Sequence, residues 1–446
     1  MMPGKQPAHK HQSGSKCSTD IGCRFCQSSL RSETAWQSEN KFTRYRHPVS
    51  GCPIPRGVCN LIAMPFIMLN SSLKPTAACN ACRFTAHAVR PSRRNLVSGC
   101  LEPHLRGSLK PRPKEHAMSH PTDFHALIEA AVRAPSGHNS QPWQFALGDD
   151  RITIDPDFSR RLSAVDPDNR ELFISLGCAL ENLCLAAAHS GYAAQEHLAD
   201  DGTVHIALHQ QPEPTKQPEN EALYAQIPRR QTNRATYNGS PIPQAQLDPI
   251  LAAQQSDTVS LHAFAPSAPE FATLTQAVIA GNSAQMNDPA FKAELLSWIR
   301  FNQNHSNATR DGLSYAVMGA PNLPAWISRP IIRAMLNAKR HNRSDRAKIA
   351  SSSHLLLIAS TEDNPATWLT TGRTLQRTLL ALTQHGIAHA YLNQPCEVPA
   401  QRTQLAQLPA LGSKQPQILL RLGYAAAMPY SQRRAVDSVI QTTQAA

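Results

Sequence analysis

Residues 118–446 of this 446-residue chain predict an α+β fold, a mixed sheet flanked by helices and repeated within the chain. Three observations carry that expectation. Short alternating runs read as strands, with Trp143, Phe145 and Leu147 followed by Ile152 and Ile154. Two long apolar stretches, 171–190 and 366–385, read as core helices, each closed by a glycine, Gly191 and Gly386. Those two stretches also echo one another. Gly177 and Gly191 are 14 residues apart, as are Gly372 and Gly386, and the alignment sets Leu180 on Leu375, Leu185 on Leu380 and Ala186 on Ala381. Two core helices that end in glycine would share some of this without common descent. The expected halves are about 118–245 and 246–446, packed as the two subunits of a homodimer would be.

The elements follow in order. Phe124, Leu127, Ile128, Ala131 and Val132 recur at helical spacing, with Thr122 as the expected N-cap. Gly148-Asp149-Asp150 reads as the turn of a hairpin. Thr203–Leu208 reads as a strand, and 210–255, rich in Pro and Gln, as a long connection. Residues 265–345 read as mostly helical, interrupted at Gly312 and over 319–330. Strands are expected at Ser353–Ala359, Ile387–Leu392 and Gln417–Leu422.

Charge and cysteine both change at about residue 118. The net charge of +12 is the sum of +13 over residues 1–117 and −1 over the rest. The basicity that would point to a nucleic-acid partner is therefore absent from the main body. Eight of the eleven cysteines lie before Met118, and only Cys178, Cys184 and Cys396 follow it, as expected for a reduced, cytoplasmic compartment. The best apolar run, Leu61–Leu69, is far short of the roughly 20 residues that span a bilayer, so no membrane partner is expected.

The first 117 residues show no sustained period. Their pairs Cys23/Cys26 and Cys79/Cys82 have zinc-ligand spacing within each pair, but more than 50 residues separate them, unlike a compact zinc ribbon. The expectation is an extension that precedes a natural start at Met118, with a disordered tail and a basic zinc module as the alternatives. No metal site is assigned.

G-x-G-x-x-G, P-loop, G-x-S-x-G and His-Glu-x-x-His patterns are all missing, which argues against the dinucleotide-binding, NTPase, hydrolase and zinc-protease classes. Three segments remain. Arg133-Ala134-Pro135-Ser136-Gly137-His138-Asn139-Ser140-Gln141-Pro142-Trp143 packs small and hydrogen-bonding residues into a helix-to-strand turn, which can approach a flat polar heterocycle or simply cap a helix. Arg229-Arg230-Gln231-Thr232-Asn233-Arg234 sets three guanidinium groups around a hydroxyl and an amide, as suits a phosphate monoester or a solvated basic face. Tyr430-Ser431-Gln432-Arg433-Arg434 follows the last expected strand.

Together and in this order, the three segments resemble the signatures of FMN-dependent nitroreductases. The arginine segment follows the Pro-Ser-x-x-Asn turn instead of preceding it. With Asp166-Pro167-Asp168-Asn169-Arg170-Glu171-Leu172 ahead of a long apolar helix, this order is similar to the Acg-like branch, whose members resemble a nitroreductase dimer fused into one chain. The resemblance covers 118–446 and none of 1–117. It implies FMN as cofactor, with Pro135, Ser136, Gly137 and Asn139 at the ring and ribityl chain. Arg229, Arg230, Thr232, Asn233 and Arg234 would hold the phosphate end, with Arg433 assisting. It also implies NAD(P)H as hydride donor, a nitroaromatic or quinone as acceptor, no catalytic side chain, and a pseudo-dimeric chain able to act as a monomer. His138 is given no role. The alternative is a flavin-sequestering protein without turnover, its site lidded by Gly319–Trp326.

Overall fold

A computed structural model describes residues 122–212 and 217–441. Segment 1–117, with both Cys-x-x-Cys pairs and the expectation of a start at Met118, lies outside the described residues.

The first half opens on α1 (Thr122–Ala131), whose Leu127, Ile128 and Ala131 are fully buried. The hairpin β1 (Trp143–Leu147) and β2 (Arg151–Pro156) follows, with Gly148 N donating to Arg151 O at 2.9 Å across the turn. Next come α2 (Arg170–His189) and a second hairpin, β3 (Tyr192–Leu198) and β4 (Val204–Gln210). Where a plain connection was expected, the chain forms α3 (Pro218–Tyr224) and α4 (Gln244–Ala252).

The second half opens on β5 (Val259–Phe264). An insertion follows: α5 (Pro269–Asn287), α6 (Pro289–Trp298), β6 (Ile299–Arg300), α7 (Gln303–Thr309), β7 (Leu313–Ser314), α8 (Ala325–Met335) and α9 (Ala338–Ala350). The half then resumes with β8 (His354–Ser360), α10 (Pro365–Gln384), β9 (Ala388–Tyr391), the short helices α11 (Gln394–Glu397) and α12 (Pro399–Leu405), and β10 (Gln415–Gly423).

The sheets have the orders β1-β2-β4-β3 and β5-β8-β10-β9. These are one order written twice. In both, the second strand leads into the long helix, and the last two strands of the half pair with each other. The pairings within both sheets are antiparallel, which corrects the expected mixed sheet. Parallel neighbours arise in the two-residue pair β6–β7 and where a segment from one half crosses to the other. Thr232 bridges His389 on the β9 edge, and Ile440 bridges Phe145 on the β1 edge. Gln441 N donates to Phe145 O and Phe145 N to Val439 O, both at 2.7 Å.

The second sheet is covered on both faces, so β8 and β10 read as nearly unbroken apolar runs, buried throughout or almost so. The first sheet is covered on one face only, and β3 is half exposed. One core joins the two sheets through α2 and α10, and a second lies beyond β8 and β10 against α5 and α12.

At the crossing of α2 and α10 the backbones meet at the two echo glycines. A β-carbon on Gly177 would lie 2.9 Å from Gly372 Cα and collide with the Leu369 carbonyl oxygen; one on Gly372 would collide with the Ile174 carbonyl oxygen. Gln376 Nε2 donates to Asn182 Oδ1 at 2.7 Å, and buried Glu181 accepts from Arg373 at 2.9 Å and Arg377 at 2.8 Å. Alanine for glycine inside a helix is ordinarily worth about 1 kcal/mol of added stability. Here the collision reverses the sign. Gly372→Ala is expected to destabilise by about 1–3 kcal/mol in a urea titration, and a neutral or stabilised variant would contradict the contact.

Candidate functional site

A cavity of about 740 Å³ opens beside the first half of α2. That volume lies in the range of small-molecule and cofactor sites. Both halves line it. The first gives the turn after α1, then Glu171, Ile174, Ser175 and Cys178 of α2, then residues 230–232 and Arg234; the second gives the β9–α11 junction, Arg421 and the C-terminal segment at Arg433. Helices of the insertion form an apolar roof, including Met286, Phe291, Leu295, Ile332 and Leu336.

The turn after α1 is held in an unusual backbone conformation. His138, Asn139 and Gln141 all have positive φ, at 49°, 56° and 54°. Left-handed backbone costs a non-glycine residue roughly 1–2 kcal/mol, so the surroundings must enforce it. Asn139 Nδ2 donates to Gly312 O and to Gln432 O, both at 3.1 Å. Gln141 Nε2 donates to Arg310 O at 3.0 Å, and its Oε1 accepts from Arg434 N at 2.8 Å. Ser136 Oγ accepts from Gln141 N at 2.9 Å. The insertion and the C-terminal segment therefore clamp the turn from two sides, and Asn139 Oδ1 is buried without a partner.

Several buried arginines gather along one wall. Arg230 Nη2 donates to Arg133 O at 2.9 Å, and Arg433 Nη2 to Ala134 O at 3.1 Å, while both Nε atoms are buried and unpartnered. Arg421, 1% exposed, lies 3.9 Å over the Tyr237 ring, and its Nη1 has no partner. Among the described residues, Arg230, Arg234, Arg421 and Arg433 have no carboxylate in ion-pair range. Burial, then the neighbouring Arg230 and Arg133, lowers Arg433 to about 9. Burial lowers Arg230, Arg234 and Arg421 as well. Arg230, Arg421 and Arg433 have only backbone carbonyls as partners, and buried cations in that state strongly favour an anion among them.

Three carboxyl groups line the cavity, and none is ion-paired to that wall: Asp345 accepts from Asn282 Nδ2 at 2.9 Å and acts on Arg421 only from beyond ion-pair range. Glu171 accepts from Asn393 Nδ2 and from Arg170 Nη2, the latter at 3.2 Å, and Glu397 accepts from Gln285 Nε2. Burial, then the charge of Glu397, holds Glu171 well above the usual carboxylate range. Burial raises Glu397 too. Gly137 sits against Glu171: a β-carbon there would lie 3.6 Å from Glu171 Oε2 and 2.9 Å from Leu162.

Eight of the ten residues expected to hold a cofactor line the cavity: Pro135, Ser136, Gly137, Asn139, Arg230, Thr232, Arg234 and Arg433. The structure does not bring Arg229 and Asn233 to it. The segment touches the β9 edge at Thr232, and Arg230, Gln231, Thr232 and Arg234 line the cavity, while Arg229 lies in the turn before it. Arg229 is exposed, and Asn233 turns away to donate to Ala426 O at 2.8 Å. The expected lid is also corrected. Of Gly319–Trp326 only Ala320 lines the cavity, and Trp326 is 78% exposed. Sequence reasoning missed Tyr391, Asn393, Glu397, Arg421 and the roof. An asparagine-glutamine-proline run directly after a strand was the one available signal for the β9–α11 junction.

No family model matches the chain. Among curated proteins it is 28% identical over 326 residues to Rv3131 of Mycobacterium tuberculosis, covering 71% of this chain and 90% of that protein. It is also 28% identical over 330 residues to Acg of the same organism, covering 70% and 94%. The names of both propose an NAD(P)H nitroreductase. Among solved structures, the FMN-dependent nitroreductase NfnB from Mycobacterium smegmatis, in complex with NADPH, matches 50% of this chain and 99% of its own at 13% identity and a TM-score of 0.32. A TM-score that low carries no argument.

Two histidines set an acid limit to stability. His389 is 1% exposed and neither ring nitrogen has a partner; burial, then Arg230, lowers it to about 3. Burial, then Arg234, lowers cavity-lining His138 to about 4. Unfolding frees both to take up protons near pH 6.5, so the stability they confer is full above that pH and lost as pH falls toward the folded values. Each adds a slope of about 1 kcal/mol per pH unit between pH 6 and 4.5. His389→Leu gives up no side-chain hydrogen bond and is expected to remove one such slope in urea titrations at pH 7, 6 and 5. An unchanged slope would show that His389 titrates normally.

Proposed function

We propose that this chain, similar to proteins named as NAD(P)H nitroreductases, is nitroreductase-like, binds FMN in the cavity and passes hydride from NAD(P)H to a nitroaromatic or quinone acceptor. The imbalance of charge along the cavity wall carries this reading. A phosphate monoester supplies the anion that Arg230, Arg234 and Arg433 lack, and the orphaned Nε atoms of Arg230 and Arg433 are donors ready for it. Thr232 adds a hydroxyl on the same side. Pro135, Ser136, Gly137 and the free Oδ1 of Asn139 offer small and hydrogen-bonding surfaces to a flat polar ring and its ribityl chain. Bound there, FMN would supply the two-electron chemistry itself.

What the chain adds is electrostatic and steric. Unpaired guanidinium groups keep the cavity positive, which favours negative charge on whatever is reduced inside it. The roof excludes water from the apolar side. Burial raises Glu171 and Glu397 above the usual carboxylate range, which favours a proton at the cavity wall, and Oε2 of Glu171 lies next to Gly137. No side chain is required as a nucleophile.

The two halves are read as diverged copies of one nitroreductase-like subunit. The shared strand order, the glycine contact between α2 and α10 and the crossing of a segment from each half to the other's sheet support that reading. A single chain then completes its own cavity. The roof favours a second reading, in which the flavin is retained but acceptors are kept out and turnover is low.

The purified chain is expected to show a flavin spectrum, with FMN released by heat. Arg230→Ala is expected to weaken FMN binding at least about tenfold, as the loss of a charge-assisted contact does, while Arg229→Ala leaves it nearly unchanged. Equal loss in both variants would contradict the placement, and a colourless protein that takes up no FMN would end the reading. Consumption of NAD(P)H with a panel of quinones and nitroaromatics separates turnover from retention.

A further inference from the structure

The roof helix α8 has two apolar faces, and only one is used within the chain. Ile332 and Leu336 turn inward onto the cluster of Phe291, Leu295 and Ile299. On the opposite side Trp326, Pro330 and Ala334 form one ridge at intervals of four residues, and Ile327, Ile331 and Met335 form the ridge beside it. Five of those six are exposed, with Trp326 at 78%, Ile331 at 48% and Met335 at 45%. These are three of the five large apolar side chains that stand exposed among the described residues. Nothing in the described chain covers them.

The charge around this face is of one sign. Arg329 and Arg333 border the ridges on α8, and α9 adds Lys339, Arg340, Arg343 and Arg346, all six exposed. None of the six forms an ion pair among the described residues. Segment 325–350 carries seven basic residues and one acidic residue, in a body, 118–446, whose net charge is −1. A second copy of this face would set cations against cations. The segment before Met118 carries +13 and is no complement either. A helix with Trp and aliphatic residues along one arc and arginines along its edge has the build of an interfacial helix on an acidic bilayer.

We propose that α8, with the basic face of α9 beside it, is a docking surface for anionic phospholipid. The ridges enter the headgroup boundary and the six cations meet the lipid phosphates. Met335 lies both on the exposed ridge and in the cavity lining, so the docked face adjoins the cavity mouth. This is peripheral binding. It departs from the expectation of no membrane partner, which was drawn from the lack of a spanning segment. Docking stands whether or not the cavity takes a flavin.

The test is co-sedimentation of the full chain with vesicles of pure phosphatidylcholine and with vesicles containing about a quarter phosphatidylglycerol, at low and near-physiological salt. Binding is expected to the anionic vesicles only and to weaken with salt. Trp326→Ala combined with Ile331→Ser, and separately Arg329→Gln combined with Arg333→Gln, are each expected to reduce partitioning at least about tenfold. Both pairs sit on exposed positions, and an unchanged thermal unfolding midpoint verifies that the variants fold. All variants keep residues 1–117, so undiminished partitioning would assign the binding to that basic segment and overturn the proposal. Equal binding to both vesicle types, or a concentration-dependent dimer abolished by the same substitutions, would overturn it as well.

Discussion

Everything in the described chain is arranged around the contact of Gly177 with Gly372. Two long helices can bring their backbones together only where neither carries a side chain, and these two do so near their midpoints. The close approach lets polar groups meet in the core: Gln376 reaches Asn182, and Glu181 is shared by Arg373 and Arg377. With the crossing fixed, Glu171, Ile174, Ser175 and Cys178 of α2 line the cavity beside it.

The cavity keeps its charge because its acids and bases are treated differently by burial. Guanidinium groups stay protonated even when burial lowers them, since their ordinary values lie so high. Carboxyl groups buried in the same space are pushed toward the neutral form. The result is a wall of cations with no ion-paired acid, on which Asp345 acts only from a distance. The strained turn at 138–141 belongs to the same arrangement, since the backbone oxygens that receive Arg230 and Arg433 come from the end of the helix leading into it. His138, lowered by burial and Arg234, and His389, lowered by burial and Arg230, are the price in acid stability.

Much of this was legible in the sequence, for identifiable reasons. The hairpin of β1 and β2, the long helices and the echo glycines follow from strict alternation, all-round apolarity and chain-ending glycine. The α+β class follows from those elements. Strand β3 was missed because Tyr-Ala-Ala-Gln-Glu-His-Leu packs one side only and has almost no apolar alternation. Strand β5 lies behind a Gln- and Ser-rich stretch, and α3 and α4 are short and polar on their exposed sides. The mixed sheet was wrong because the crossing segments contribute isolated bridges and not strands. Within the site, the loop and arginine motifs were legible as compact clusters. Arg421 and Glu397 were not, because each is a single residue whose place is set by a sheet or a short helix distant in sequence.

The insertion of α5–α9 occurs between β5 and β8, while the corresponding strands of the first half are joined by a tight turn. In an assembly of two identical subunits, any insertion appears twice and any pocket at their junction appears twice. A continuous chain escapes that rule. If its halves arose by duplication, each can drift alone: one lengthens a loop into a roof while the other keeps a hairpin. Symmetry is then broken at the level of a single gene, and a protein built from paired parts can have one elaborated pocket and one covered face.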